Sequence, residues 1–69
     1  MRDEWIGEFA SKLEGDAPSA AEVDAILDLA AVAAHASERT AAPVACWMAG
    51  KAGRPLSELI ELAKEVEAS

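Results

Sequence analysis

Residues 19–38 read SAAEVDAILDLAAVAAHASE, and this segment sets the class of the fold. Its first residue, Ser19, stands three positions before Glu22, which is the spacing of a capping box at the start of an α-helix. Apolar and small side chains then recur at helical spacing, so we expect them to face a neighbouring helix. These positions are Val23, Ile26, Leu27, Ala30, Ala33, Ala34 and Ser37.

The segments before and after this helix predict three more helices. Gly15 and Pro18 follow the end of the first helix. Thr40 is placed to cap the third helix, Gly53 to end it, and Pro55 to begin the fourth. The expected core stripes are Trp5, Ile6, Phe9, Ala10 and Leu13 in the first helix and Leu56, Leu59, Ile60, Ala63 and Val66 in the fourth. The predicted helices span about residues 3–14, 19–38, 41–52 and 55–68.

Composition points to the same class. Seventeen of the 69 residues are alanine, which favours helix but contributes little buried volume. Aromatic residues make up only 4% and tyrosine is absent, so all-β and α/β folds fit poorly. Short connections favour antiparallel neighbours. The sequence therefore predicts an all-α fold, a compact bundle of four short helices in which residues 1–69 form a single domain.

The charge balance restricts the partners and the compartment. Acidic residues outnumber basic ones by 13 to 6, which gives a formal net charge of −7. Nucleic-acid binding requires clustered Lys and Arg, and an anionic membrane would repel this surface, so we expect neither partner. The acidic N-terminus is unlike a secretory signal, and no apolar run is long enough to span a membrane. A single cysteine, Cys46, rules out an internal disulfide and favours the cytoplasm.

The residues needed for catalysis or metal binding are scarce in this sequence. One histidine, His35, and one cysteine, Cys46, cannot supply a closed zinc site, and they fall on different predicted helices. Gly50 and Gly53 lack the lysine and the strand that a phosphate-binding loop requires. We therefore expect no enzyme activity, no bound metal and no cofactor.

A locally basic segment lies between His35 and Arg54. Arg39, Lys51 and Arg54 are opposed there only by Glu38, so the segment carries a formal +2 while the remaining residues sum to −9. Such a strip is a candidate surface for an acidic patch on a partner or for an anionic ligand. The alternative is that these cations only complement the dipoles of helix C-termini. The candidate surface comprises His35, Glu38, Arg39, Trp47, Lys51 and Arg54.

Trp47 and Met48 allow two interpretations. Large apolar residues beside Val44 at helical spacing are typical of a core, and this is our primary expectation. A bundle so rich in alanine has a thin core, however, and two tryptophans in 69 residues exceed its needs. The alternative is an exposed patch that marks a protein–protein surface.

Several strings resemble one known family. Residues 35–44 read HASERTAAPV and residues 47–50 read WMAG. Together with Trp5-Ile6-x-x-Phe9 and residues 18–30, they resemble a family of small bacterial helical domains of unknown function, although Thr40 stands where the family pattern has proline. The resemblance implies a domain found alone, fused to, or encoded beside nucleotidyltransferases of the molybdopterin-guanine dinucleotide type. It therefore implies a link to molybdenum-cofactor biosynthesis, and it assigns no catalytic residue.

Three hypotheses for function follow from these observations. The first is a non-enzymatic accessory domain that binds a protein partner, with a molybdenum-cofactor nucleotidyltransferase as the candidate. In the second, Arg39 and Arg54 hold the phosphate of a nucleotide or pterin while Trp47 stacks on its ring. The third is self-association, as a homodimer, across the alanine face or the stripe of Trp5 and Phe9.

Overall fold

The structure is a computed structural model that describes the backbone of residues 1–68 and the side chains of residues 1–66. These residues form four helices and no strand, which confirms the predicted all-α class. The assignment of residues 1–69 to one domain remains a prediction. The helices are α1 (Arg2–Lys12), α2 (Ala20–Ala36), α3 (Ala41–Ala52) and α4 (Leu56–Ala68).

The start of α2 is fixed by the capping box read from the sequence. The Ser19 hydroxyl accepts a hydrogen bond from the Glu22 backbone N–H at 3.1 Å, and the Ser19 N–H donates to the Glu22 carboxylate at 2.7 Å. Thr40 does occupy the residue before α3, but its side chain makes no capping bond. A backbone turn replaces the cap, since the Ala41 N–H donates to the Glu38 carbonyl at 2.8 Å.

Two helices end two residues earlier than predicted. The backbone of Glu14 adopts a left-handed conformation, with φ of 58°, and this closes α1 at Lys12. Ser37, with φ of −130° and ψ of −99°, leaves helical geometry and ends α2 at Ala36. Gly53 ends α3 as predicted, in the left-handed conformation that glycine adopts without steric cost.

Helix α2 is the centre of the packing. Both α3 and α4 lie closely along α2, whereas within residues 1–68 neither α3 with α4 nor α1 with any helix forms a comparable contact. Leu29, in the middle of α2, is 4% exposed and is the only buried residue among those whose side chains are described. The molecule measures 39 × 22 × 18 Å.

The side chains that face inward are not all the predicted ones. Leu29 was absent from the expected face of α2, whereas Leu27, which was included, is 48% exposed. The expectation that Trp47 and Met48 lie in the core is wrong, because α3 packs through its alanines and Cys46 and leaves Trp47 65% exposed. Small residues let two helix backbones approach closely, and the large side chains on the same helix are then left outside.

Other stripe positions lie outside the core as well. Leu56, Leu59, Ile60 and Ala63 of α4 are partly buried as predicted, but Val66 is exposed. In α1, Ile6 and Ala10 are partly buried, while the three largest members of the stripe face solvent. These three are Trp5, Phe9 and Leu13.

Candidate interaction surfaces

The predicted partner surface falls into two groups separated along α3. His35, Glu38 and Arg39 are all exposed around the turn from α2 to α3. Trp47 and Lys51 project from the middle and end of α3, and Arg54 follows the helix.

Trp47 and Lys51 form a local unit. They are four residues apart on α3, and the Lys51 ammonium nitrogen lies 4.8 Å from the centre of the Trp47 ring, within the range of a cation–π contact. Val44, one turn before, is also exposed. We call Val44, Trp47 and Lys51 the tryptophan face. It combines a large rigid apolar surface with a positive charge, which is a combination enriched in binding hot spots.

The two arginines do not converge on one ligand. Arg39 precedes α3 and Arg54 follows it, so the full length of a twelve-residue helix separates them, which is about 18 Å. The Arg54 guanidinium is also engaged by the Glu58 carboxylate. Within the described residues, Arg39 makes no side-chain hydrogen bond or ion pair. Neither arginine is therefore placed to share a phosphate with the other.

A second surface is an open apolar groove between α3 and α4. Its floor is α2, with Leu29 and Val32, and its walls are Ala45 and Ala49 of α3 and Leu59 and Ala63 of α4. The groove has a volume of about 450 Å³. None of the described residues that line it carries a charge, and Met48 and Val66 stand on its rims. We call this feature the apolar groove. It exists because α3 and α4 both pack on α2 without closing on each other.

A third surface lies on α1. The rings of Trp5 and Phe9 are in contact, with centroids 5.1 Å apart and planes tilted by 34°. Leu13 continues the row one turn further, and all three side chains are exposed. We call these residues the aromatic stripe. It forms a continuous apolar ridge rather than scattered exposed side chains, and such patches mark contact surfaces.

The groups that could carry out chemistry are dispersed. Within residues 1–68, no three His, Cys, Asp or Glu side chains cluster in a way that could hold a metal ion. Cys46 is partly buried and lines a cavity of about 390 Å³ with Ile26 and Leu29. His35 is exposed and lies six residues beyond Leu29, which is about 9 Å along α2. The structure therefore does not bring this cysteine and this histidine together.

The apolar groove is not among the surfaces predicted from the sequence, although the sequence contains a signal for it. Alanines recur at positions 41, 45, 49 and 52 with helical spacing. This alanine face packs on α2 and forms one wall of the groove. The larger residues at 44, 47 and 48 give a stronger hydrophobic signal on the same helix, although they lie outside the core.

Comparisons with known proteins give the last constraint. No helix within residues 1–68 combines the length and the apolar character needed to cross a membrane. No curated protein and no solved structure matches the chain. One family, described as a domain of unknown function (DUF6457), matches residues 1–68, and the chain therefore belongs to that family.

Proposed function

We propose that this chain is a non-catalytic interaction domain that binds a protein partner. The observation that carries the proposal is the distribution of large apolar side chains. Ten of them are exposed, whereas Leu29 is the only one that is buried among the described residues. Several of them lie together on one helix face, as in the aromatic stripe and the tryptophan face, and contiguous exposed apolar patches mark contact surfaces.

The accessible surface supports the same proposal. The chain exposes 5386 Å². A folded monomer of its mass is expected to expose only about 4,100 Å². The excess of about 1,300 Å² is comparable with the area, about 800 Å², that each partner buries in a specific interface.

The tryptophan face and the neighbouring turn are the surface that we assign to the partner. Trp47 has the largest side chain of α3, and Lys51 places a positive charge against its ring on an otherwise acidic chain. Arg39 adds a second positive charge before α3, about 12 Å away along the helix. The matching partner surface is an apolar pocket with an acidic rim, because opposite charges around an apolar contact guide association.

A molybdenum-cofactor nucleotidyltransferase is the first partner to test. The resemblance described from residues 35–50 implies association with proteins of this type, and this part of the proposal rests on that resemblance alone. The dispersed titratable groups and the separation of Cys46 from His35 support a binding role rather than catalysis.

Calorimetric titration of the full chain into a purified nucleotidyltransferase from the same source tests the proposal. We expect one chain to bind each nucleotidyltransferase. Trp47→Ala should raise the dissociation constant of this complex by about tenfold or more, because a central tryptophan carries much of the binding energy. Leu27→Ala removes an exposed apolar side chain from α2 and is the matched control, which should leave the affinity unchanged.

Two results would count against the proposal. If neither binding heat nor a complex is detected with both proteins at tens of micromolar, the nucleotidyltransferase is not the partner. Equal weakening by Trp47→Ala and Leu27→Ala would contradict the assignment of the tryptophan face.

A further inference from the structure

We infer that two copies of this chain associate reciprocally, with the aromatic stripe on α1 of each copy seated in the apolar groove of the other. The groove lining reaches Ser37 at the start of the turn after α2, but it includes none of Trp47, Lys51 and Arg39, on which the partner surface proposed above depends. The groove and the stripe are two exposed apolar features of one molecule. The groove is concave, and the stripe is a convex row of side chains.

The area of exposed surface agrees with a second copy as the occupant. The excess of about 1,300 Å² over the expected value for a monomer exceeds the area of a standard-sized interface and falls within the range of about 1,000–2,500 Å² that each subunit buries in an obligate homodimer. A chain of 69 residues with one buried side chain among those described has little core of its own. Association with an identical chain is a common way for domains of this size to complete a core.

The dimensions of the two features match. Trp5 lies on α1 and Leu13 follows directly after its end, eight residues further, so the aromatic stripe is about 12 Å long. The α3 wall of the groove extends from Ala41 to Ala52, which is about 16 Å, and the α4 wall from Leu59 to Val66 is about 10 Å.

The stripe does not occupy the groove of its own chain. Helix α1 meets the first turns of α2, where Ile6 lies near Val23. The groove floor begins at Leu29 and continues toward Ala36, about 9 Å or more further along α2. The two features therefore lie toward different ends of α2. In a reciprocal pair, the stripe of each copy would fill the groove of the other. Such an arrangement is isologous, and it closes as a dimer instead of growing into a fibre.

Charge does not oppose seating the stripe, although each chain carries −7 overall. The described lining of the groove has no charged residue, and the stripe consists of two aromatic side chains and a leucine. Glu4 and Glu8 flank the stripe on α1 and are exposed, so salt should strengthen the dimer by screening the repulsion between the two acidic chains.

Disulfide trapping between two variants tests this arrangement. Both variants carry Cys46→Ser, which removes the native thiol; one adds Phe9→Cys in the stripe and the other Met48→Cys on the groove rim. We expect the mixture to form a covalent heterodimer under mild oxidation. The matched control uses Trp47→Cys in place of Met48→Cys. Trp47 is the preceding residue and does not line the groove, so we expect little covalent heterodimer from this pair.

The overturning results are specific. Absence of the Phe9–Met48 heterodimer, or an equal yield with the Trp47→Cys control, would overturn the proposed seating.

Sedimentation equilibrium of the unmodified chain gives an independent measurement. We expect the mass of two chains at 100 μM, and Phe9→Glu should weaken the dimer by about 30-fold or more, because a carboxylate would be buried in an apolar groove. Trp47→Glu also replaces an exposed aromatic residue by glutamate, and it should leave the dimer intact. The mass of one chain for the folded wild type, or equal weakening by both variants, would overturn the inference.

Discussion

Leu29 and Leu27 lie two residues apart on α2 in opposite environments. Leu29 is buried between α3 and α4, whereas Leu27 is largely exposed on the other side of the helix. The same deletion of three carbon atoms therefore has different consequences at the two positions, because only a buried side chain leaves a cavity and loses contacts when it is truncated.

We predict that Leu29→Ala lowers the free energy of unfolding by about 2–4 kcal/mol, or abolishes cooperative unfolding altogether. Leu27→Ala should lower it by less than about 1 kcal/mol, since that side chain stays largely in water. Urea denaturation followed by far-UV circular dichroism measures both values. Similar losses for the two variants would contradict the position of the core.

Glu14 is a second residue whose environment can be tested. It holds the left-handed position after α1, where the Gly15 N–H donates to the Ala10 carbonyl and the Glu14 N–H donates to the Ser11 carbonyl. Glycine usually fills this position, since a side chain is strained there. The Glu14 carboxylate also lies at the negative end of the α1 dipole.

Replacing Glu14→Gly should therefore raise the free energy of unfolding by about 0.5–1 kcal/mol, once the greater flexibility of glycine in the unfolded chain is included. Gly53→Ala is the reverse test at the left-handed end of α3. The added methyl group meets no other atom there, so the expected net loss of about 1 kcal/mol reports backbone strain less the lower flexibility of alanine in the unfolded chain. Thermal denaturation checks both signs, and destabilisation by Glu14→Gly would contradict the assigned backbone conformation.

At the scale of the helices, α2 and α3 begin in physically different ways. The Ser19 hydroxyl accepts a hydrogen bond from the first turn of α2, while the Thr40 side chain makes no such bond and a backbone turn starts α3. Ser19→Ala should lower stability by about 1 kcal/mol, and Thr40→Ala should change it by less than about 0.5 kcal/mol. Chemical denaturation of the pair of variants measures the difference, and equal losses would show that Thr40 caps its helix after all.

The number and approximate bounds of the helices could be predicted from the sequence because local signals determine them. The Ser19–Glu22 capping box and Gly53 act within one turn of their helix, and both are found where they were expected. The end of α1 was placed too late because no local rule assigns a left-handed backbone to glutamate in preference to the adjacent glycine.

The inward faces were harder to predict, and the reason is physical. Helix α2 is apolar on most of its circumference, so periodicity alone could not distinguish the side with Leu29 from the side with Leu27. In α3, the close approach of two helices favours alanine over tryptophan at the contact, which is the opposite of ranking residues by hydrophobicity. The sequence predicts the basic strip from His35 to Arg54 as one surface, but in the structure the length of α3 separates its two ends.

At the scale of the whole molecule, the fold leaves apolar surface without a partner. Helix α3 packs on α2 through small side chains and α4 packs on it through Leu56, Leu59 and Ile60, while the large side chains of α3 face solvent. We account for this surface by two contacts: the aromatic stripe and groove pair two copies of the chain, and the tryptophan face remains for another protein.

The central claim is that a second polypeptide completes the folded chain, and the dependence of thermal unfolding on protein concentration tests it most directly. If two copies unfold together, the midpoint must rise with concentration, because dilution favours the separated unfolded chains. With an unfolding enthalpy of about 0.7 kcal/mol per residue for two chains, the midpoint should rise by about 10 °C over a hundredfold increase in concentration. A sharp transition at the same temperature throughout that range would show that one chain is stable by itself and would contradict the claim.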